Sequence, residues 1–150
     1  MKLHYWLIIA LASVVTACQN NQDTQKDQET VTASVTQQSC YTYIKNRDTA
    51  SLTTLMSGHI VTGELTYKLF EKDSNKGSIK GEMRGDTLFA DYQFNSEGRQ
   101  SIREVAFLQK DGKLVEGYGE VVERDGKVMF KDHAGLKFGD GIAFTKINCN

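Results

Sequence analysis

Alternation of apolar and polar residues along three successive segments constrains this chain more than any other feature. In the first segment the odd positions are apolar or small: Val61, Gly63, Leu65, Tyr67 and Leu69. The even positions between them are polar, and the segments that begin at residues 79 and 88 largely repeat the pattern. A period of two with one apolar face is typical of strands in a sheet that is buried on one side. The sequence therefore predicts an all-β domain.

Short polar turns separate the predicted strands. The chain has no proline, and its breaks fall on clusters of glycine, asparagine and aspartate such as KDSNKG, RGD, NSEG, KDG, RDG and GDG. Such closely spaced breaks are typical of β-hairpins. We therefore expect an antiparallel up-and-down meander of about eight or nine strands that closes into a small lipocalin-like barrel and removes the sheet edges. The alternative is a two-sheet β-sandwich. Gly63 and Gly81, in the inward series, would relieve crowding where strands bend.

The N-terminal segment has the composition of an export signal. Lys2 provides a positive charge, residues 7–15 form a short apolar run, and several residues towards its end are small. The run is shorter than the roughly 20 apolar residues of a transmembrane helix. A secretory signal is therefore the better interpretation.

A short motif ends this signal and resembles the lipobox of bacterial lipoprotein precursors: Val15, Thr16, Ala17 and Cys18. The resemblance implies that Cys18 receives a diacylglycerol, that cleavage removes residues 1–17, and that further acylation, for example by palmitate, anchors the mature chain. Two or three acyl chains hold a protein firmly in a membrane, whereas one binds only marginally. Gln19 stands where an aspartate would retain such a lipoprotein in the inner membrane. The resemblance therefore implies the outer membrane, on either its periplasmic or its outer face.

The segment after the lipobox predicts a flexible tether. It contains six glutamines and four threonines but only three aliphatic side chains, which is too little apolar surface to offset the entropy of ordering. The predicted organisation is a signal over residues 1–17, a lipidated tether over 18–39 and one β domain over 40–150.

Two cysteines stand at the two ends of the predicted domain. Cys40 and Cys149 lack both the Cys-x-x-Cys spacing and the neighbouring histidine of a redox or metal pair, which is the alternative interpretation. In an exported chain two such cysteines predict one disulfide. Their Cα atoms must then lie within about 7 Å of each other, so the first and last strands should be neighbours.

The architecture predicted for residues 40–149 resembles the calycins, the up-and-down barrels of the lipocalin, fatty-acid-binding and avidin-like proteins. The Gly-x-Trp signature of the first lipocalin strand is replaced by CYTYIK, and the single tryptophan, Trp6, lies in the signal. The resemblance therefore implies a closed barrel and transfers no residue role.

Two neighbouring charges in the stretch SIREVAFLQ conflict with a purely apolar interior. Arg103 shares one strand face with Val105 and Phe107, whereas Glu104 lies on the other face. Whichever face is inward carries one charge, and a buried charge needs a partner.

An inward Arg103 would have its expected partner, Glu116, on the following strand. The candidate ligand-binding residues are Arg103, Glu116, Tyr118, Tyr67 and Tyr92. Fatty-acid-binding barrels use an interior arginine for a ligand carboxylate, so this resemblance implies a small acidic or amphipathic ligand. In the alternative, both charges lie near a barrel rim in water.

Other chemistries find little support in the sequence. No acid, base and nucleophile can be assembled by residue type and spacing, so we expect a protein that is not an enzyme and has no cofactor or metal. His59 and His133 lack partners at ligand spacing and are predicted to lie in loops or at the surface. The stretch DSNKG, residues 73–77, begins like a calcium loop but lacks its distal glutamate, and a hairpin turn explains it better. With 18 Lys and Arg against 19 Asp and Glu, the chain has no basic excess for binding nucleic acid.

These observations predict a membrane-anchored lipoprotein of the cell envelope with a non-enzymatic binding or interaction role. A barrel filled by side chains would bind an envelope protein through an apolar outer patch, with Phe89, Ile102 and Leu108 as outward candidates. A hollow barrel would instead carry a small amphipathic or acidic ligand. Because the domain is small, we expect a filled or narrow interior.

Overall fold

The computed structural model describes residues 36–72, 74–96 and 98–149. Within these ranges the strands are β1 (Gln37–Lys45), β2 (Asp48–Ser57), β3 (Ile60–Lys68), β4 (Asn75–Arg84), β5 (Thr87–Ser96), β6 (Arg99–Lys110), β7 (Lys113–Tyr118), β8 (Val121–Arg124), β9 (Lys127–Phe130) and β10 (Lys137–Ile147). The predicted signal, the lipobox cysteine Cys18 and most of the predicted tether lie outside the described residues. Over the described ranges, no helix has the length and apolar character needed to cross a membrane.

Eight of the strands close into a barrel. Strands β1 to β7 pair in chain order, β7 pairs with β10, and β10 returns to β1, with every pairing antiparallel. The predicted all-β class and the closed, lipocalin-like up-and-down barrel are therefore confirmed. The β-sandwich is excluded because the β5–β6 and β1–β10 pairings leave no break between two sheets.

The predicted disulfide joins the two ends of the barrel wall. Cys40 and Cys149 are bonded, with their Cα atoms 5.3 Å apart. Cys40 lies in β1 opposite Ile147 of β10, so the first and last strands are neighbours, as expected. Strand β1 begins at Gln37, three residues before the predicted start of the domain.

Inward side chains fill the centre of the barrel. The largest fully buried residues are Tyr92, Phe107, Phe144, Leu52, Leu65, Ile79 and Leu88. They follow the alternation seen in the sequence, and in β3 the buried positions are Val61, Leu65 and Tyr67. Burying each large apolar side chain contributes about 1.5–3 kcal/mol, so this layer is the main source of stability.

Two inward glycines sit where strands approach each other closely. A Cβ atom at Gly63 would collide with the carbonyl oxygen of Thr53, and one at Gly81 with the carbonyl oxygen of Phe89. These positions therefore require glycine because of backbone proximity, and the predicted strand bending stays a prediction.

A hairpin that the alternation did not predict interrupts the meander between β7 and β10. Strands β8 and β9 are antiparallel to each other, and Asp125 and Gly126 in their turn both have positive φ, the geometry of a type I′ turn. Strand β9 pairs in parallel with the start of β6, where Arg103 lies opposite Val128. The hairpin thus lengthens the wall beyond the end of β7.

Strand direction distinguishes the two ends of the barrel. We call the end at which β3, β5 and β7 finish the distal end. At the opposite, proximal end β1 begins, β10 finishes and the disulfide closes the wall.

Candidate functional site

The distal end of the barrel contains a cavity of about 400 Å³. The residues that line this distal cavity are Tyr67, Leu69, Lys72, Asn75, Ser96, Arg103, Glu116, Tyr118 and Ile142. At the proximal end the free volume is only about 100 Å³. The interior is therefore filled at its centre, as expected for a small barrel, but hollow at the distal end.

The structure brings the five predicted ligand-binding residues together. Arg103, Glu116, Tyr118 and Tyr67 line the distal cavity. Tyr92 lies behind them and packs edge-on against Tyr67, with ring centroids 6.0 Å apart. They come from β3, β5, β6 and β7, and their side chains lie close together near the distal end of the barrel.

Arg103 points into the barrel and faces aromatic rings. Its guanidinium carbon lies 5.3–5.5 Å from the centres of three rings, those of Tyr67, Tyr92 and Phe94. Cation–π attraction stabilises the charge, but it satisfies none of the N–H donors. The Arg103 Nε is buried and has no hydrogen-bond partner among the described residues.

Glu116 is the acidic group of the cavity and is only 7% exposed. The Tyr67 hydroxyl donates to its Oε1 at 2.8 Å, and the Tyr118 hydroxyl donates to its Oε2 at 3.3 Å. Burial raises the pKa of Glu116, while the hydrogen bond from Tyr67 and the charge of Arg103 oppose that rise. Both carboxylate oxygens are thus held by protein donors.

The expected direct contact between Arg103 and Glu116 does not form an ion pair in the described part of the chain. Tyr67 connects them instead, because its ring faces the guanidinium and its hydroxyl binds the carboxylate. The basic group therefore keeps unused donors although an acidic group lies in the same cavity.

The tyrosines are neutral donors at physiological pH. Burial, with the nearby Glu116 adding to it, raises the pKa of Tyr67 well above its usual value. Burial raises the pKa of Tyr92 to about 12, and burial with Glu116 raises the pKa of Tyr118 to about 12. Because these hydroxyls stay protonated, the groups of the cavity that can carry charge are Arg103, Glu116 and Lys72, two of them basic and one acidic.

Several residues of the cavity were not identified from the sequence. They are Lys72, Asn75 and Ser96 on its lining, together with Phe94, whose ring faces Arg103. Phe94 belongs to the inward series of β5 and was detectable from the alternation. Asn75 was assigned to a hairpin turn, but β4 begins at this residue, and a strand that starts inside an Asn and Lys-rich stretch gives no periodic signal.

Glu104 points outward, yet its side chain is only 10% exposed. Its Oε2 accepts a hydrogen bond from the Phe130 backbone N–H at 2.9 Å, and its Oε1 lies 3.0 Å from His133 Nε2. His133 lies in the loop after β9, as predicted, and stacks on Phe89 with ring centroids 4.5 Å apart. Glu104 thus fastens the β8–β9 hairpin and its following loop to the barrel wall.

The outward apolar residues form part of a groove on the outer wall. Phe89 and Ile102 line this groove of about 520 Å³ together with charged side chains such as Lys80 and Asp91. Leu108 is half-buried on the same strand as Ile102 but does not line the groove. At this groove the outer wall therefore presents a mixed apolar and charged surface.

The closed barrel and the distal cavity together define a small lipocalin-like β-barrel with an internal site. Comparisons with protein-family models, with curated proteins and with solved structures find no match for this chain. Any role of the cavity must therefore be inferred from its own geometry.

Proposed function

We propose that this protein is a lipid-anchored binding protein of the cell envelope whose distal cavity takes a small amphipathic ligand with an acidic head group. The observation that carries the proposal is Arg103, a guanidinium inside the barrel that has an unpartnered N–H and forms no ion pair among the described residues.

A buried N–H donor without an acceptor is costly. The Arg103 Nε is such a donor, in a side chain that is otherwise half-buried, and the aromatic faces around it regain only part of the lost hydration. A carboxylate or another anionic oxygen would supply the missing acceptors through short, charge-assisted hydrogen bonds. Lys72, exposed at the same cavity, adds a second positive charge. An acidic head group is therefore the ligand chemistry that this cavity favours.

The remaining walls suit an apolar tail. Leu69 and Ile142 line the cavity beside the rings of Tyr67 and Tyr118. The volume of about 400 Å³ lies within the range of roughly 300–1,000 Å³ typical of small-molecule sites. A ligand of modest size with one acidic end fits these dimensions.

The proposed anchor fits the direction of the barrel. The chain enters the barrel at Gln37, at the proximal end, whereas the cavity lies at the distal end. A lipid on Cys18 would therefore leave the mouth of the cavity unobstructed by the attachment point. We propose attachment to the outer membrane and a role in holding or carrying the ligand, without catalysis.

Ligand binding is tested by titrating the lipidated protein in lipid nanodiscs with octanoate, with empty nanodiscs as the blank. We expect saturable binding that Arg103→Gln weakens at least about tenfold, the loss of one charge-assisted interaction of roughly 1.5–3 kcal/mol. Arg99→Gln is the matched control because Arg99 lies on the same strand but is exposed. Equal affinities in the two variants would exclude Arg103 as the ligand's partner.

Anchoring is tested separately by mass spectrometry of the mature N-terminus and by fractionation. We expect a diacylated Cys18 as the first residue and loss of membrane association in Cys18→Ser. An unmodified Cys18 in the membrane fraction would contradict the lipoprotein assignment.

Binding of an envelope protein is the second candidate function, supported by the outer groove at Phe89 and Ile102. Crosslinking in intact cells would then yield a defined adduct that Ile102→Asp abolishes and Arg103→Gln leaves unchanged. The opposite sensitivity would assign the adduct to the distal cavity.

A further inference from the structure

We propose that the ligand's head group carries a hydroxyl or amide hydrogen in addition to its anionic oxygen, and that Asn75 is the residue that selects it. This inference rests on the proposed function, because it names the ligand class of the same distal cavity.

At this site the protein leaves several buried hydrogen-bonding groups unused. The buried side-chain atoms without a partner in the described ranges are Asn75 Oδ1, Tyr92 Oη and Arg103 Nε. Asn75 and Arg103 line the distal cavity, and Tyr92 packs behind it. Because buried polar groups are nearly always hydrogen-bonded, three such atoms around one cavity point to a missing partner.

Glu116 and the two tyrosines that bind it are already hydrogen-bonded. Both oxygens of Glu116 accept from tyrosine hydroxyls. The Tyr118 hydroxyl also accepts a hydrogen bond from the Ile142 backbone N–H. Asn75 Oδ1 is therefore a buried acceptor on the cavity lining to which no described protein group donates a hydrogen bond.

The unused groups differ in what they require. The Arg103 guanidinium has only donors, so it needs an acceptor, whereas the Asn75 carbonyl oxygen needs a donor. A plain fatty acid in its ionised form offers acceptors alone and would leave Asn75 unsatisfied. A hydroxy acid or an acylated amino acid offers both, so it would complete the set of hydrogen bonds.

Asn75 has the position and the freedom to make this contact. It is the first residue of β4 and pairs with Tyr67, whose side chain also lines the cavity. The terminal torsion of asparagine is broad, so a small rotation that keeps the buried Oδ1 in place can aim this oxygen at a ligand hydrogen. A site that keeps an acceptor for a ligand hydroxyl rejects the analogue that lacks it, because the buried acceptor is then unpaired.

The test compares octanoate with 2-hydroxyoctanoate and 3-hydroxyoctanoate, titrated into the lipidated protein in nanodiscs. We expect at least one hydroxy acid to bind roughly tenfold more tightly than octanoate. In Asn75→Leu this ratio should fall to about one while octanoate binds no more weakly. Asn95→Leu, at an exposed position of β5, should keep the preference of the natural protein.

The outcomes separate this inference from the proposed function. Octanoate binding that depends on Arg103, with no gain from either hydroxyl, would overturn the inference and leave the proposed function standing. A preference that survives in Asn75→Leu would overturn the role of Asn75. Absence of binding by all three acids would overturn both proposals. The comparison of ligands on the natural protein needs no variant to fold.

Discussion

Tyr67→Phe and Tyr92→Phe each delete one buried hydroxyl from neighbouring rings, but only the first breaks a hydrogen bond of the described structure. The Tyr67 hydroxyl donates to Glu116 Oε1 at 2.8 Å. The Tyr92 hydroxyl is buried and has no partner in the described ranges. The two substitutions remove the same atom, so they form a matched pair.

The expected magnitudes follow from these contacts. A hydrogen bond to a charged group contributes about 1.5–3 kcal/mol, and its loss leaves a buried acceptor less well satisfied. We therefore expect Tyr67→Phe to lower the free energy of unfolding by about 2 kcal/mol at a pH where Glu116 is ionised. Tyr92→Phe removes a desolvated hydroxyl that gains nothing in return, so we expect a change within about 0.5 kcal/mol or a slight stabilisation.

Urea unfolding of the oxidised barrel domain, without added ligand and followed by circular dichroism, measures both values. The urea midpoint should fall for Tyr67→Phe and stay or rise for Tyr92→Phe. The dependence of the free energy of unfolding on urea concentration should be the same in both variants. Equal destabilisation by the two substitutions would refute the reasoning, because it would mean that Tyr92 has a partner of equal strength.

The remaining predictions concern the acidic group, the disulfide and a glycine. Burial raises the pKa of Glu116 above its unfolded value, so the folded state holds this proton more tightly. The associated stability is present below the unfolded pKa and is lost as the pH rises through the folded pKa, by up to about 1.4 kcal/mol per pH unit. Glu116→Gln should reduce the dependence of the urea midpoint on pH in this range. An unchanged pH dependence would contradict the assignment of this titration to Glu116. Cys149→Ser opens a loop of sequence separation 109 and should cost about 4–5 kcal/mol in the chain-entropy model, measured as a lower urea midpoint; a loss below about 1 kcal/mol would be inconsistent with that model. Gly63→Ala places a Cβ against the Thr53 carbonyl and should cost at least about 2 kcal/mol, whereas Thr62→Ala at the exposed neighbour should change stability by less than about 0.5 kcal/mol. Similar midpoints for these two variants would argue against close strand approach at Gly63.

The fold was predictable because its main determinants are local. Alternation such as Val61, Leu65 and Tyr67 fixes which face of a strand is buried, and the Gly and Asp turns fix where strands reverse. The Cys40–Cys149 pair then implied neighbouring terminal strands, which is the condition for closure. Each of these signals lies within a few residues or follows from a covalent bond.

The β8–β9 hairpin was not predictable in the same way. Its strands have four residues each, which is too short for a clear period. The contacts that hold it, such as those of Glu104 with the Phe130 N–H and His133, join residues more than 20 positions apart. Its position therefore depends on long-range hydrogen bonds that local pattern does not encode.

The candidate site was predictable in part for a related reason. Arg103 and Glu116 stand out in sequence because charge at an inward position is costly. The alternation alone could not decide between Arg103 and Glu104, because both faces of β6 are covered, one by the core and the other by the hairpin and its loop. Asn75 could not be assigned because a polar residue at a strand start resembles a turn residue.

The most direct test of the central claim is native mass spectrometry of the mature protein released from its own membrane in nanodiscs. We predict a bound small acidic molecule in the natural protein and in Arg99→Gln, and its loss in Arg103→Gln. A natural protein that carries no added mass after gentle extraction, or an Arg103→Gln variant that retains the same mass, would contradict the claim that the distal cavity binds an acidic ligand through Arg103.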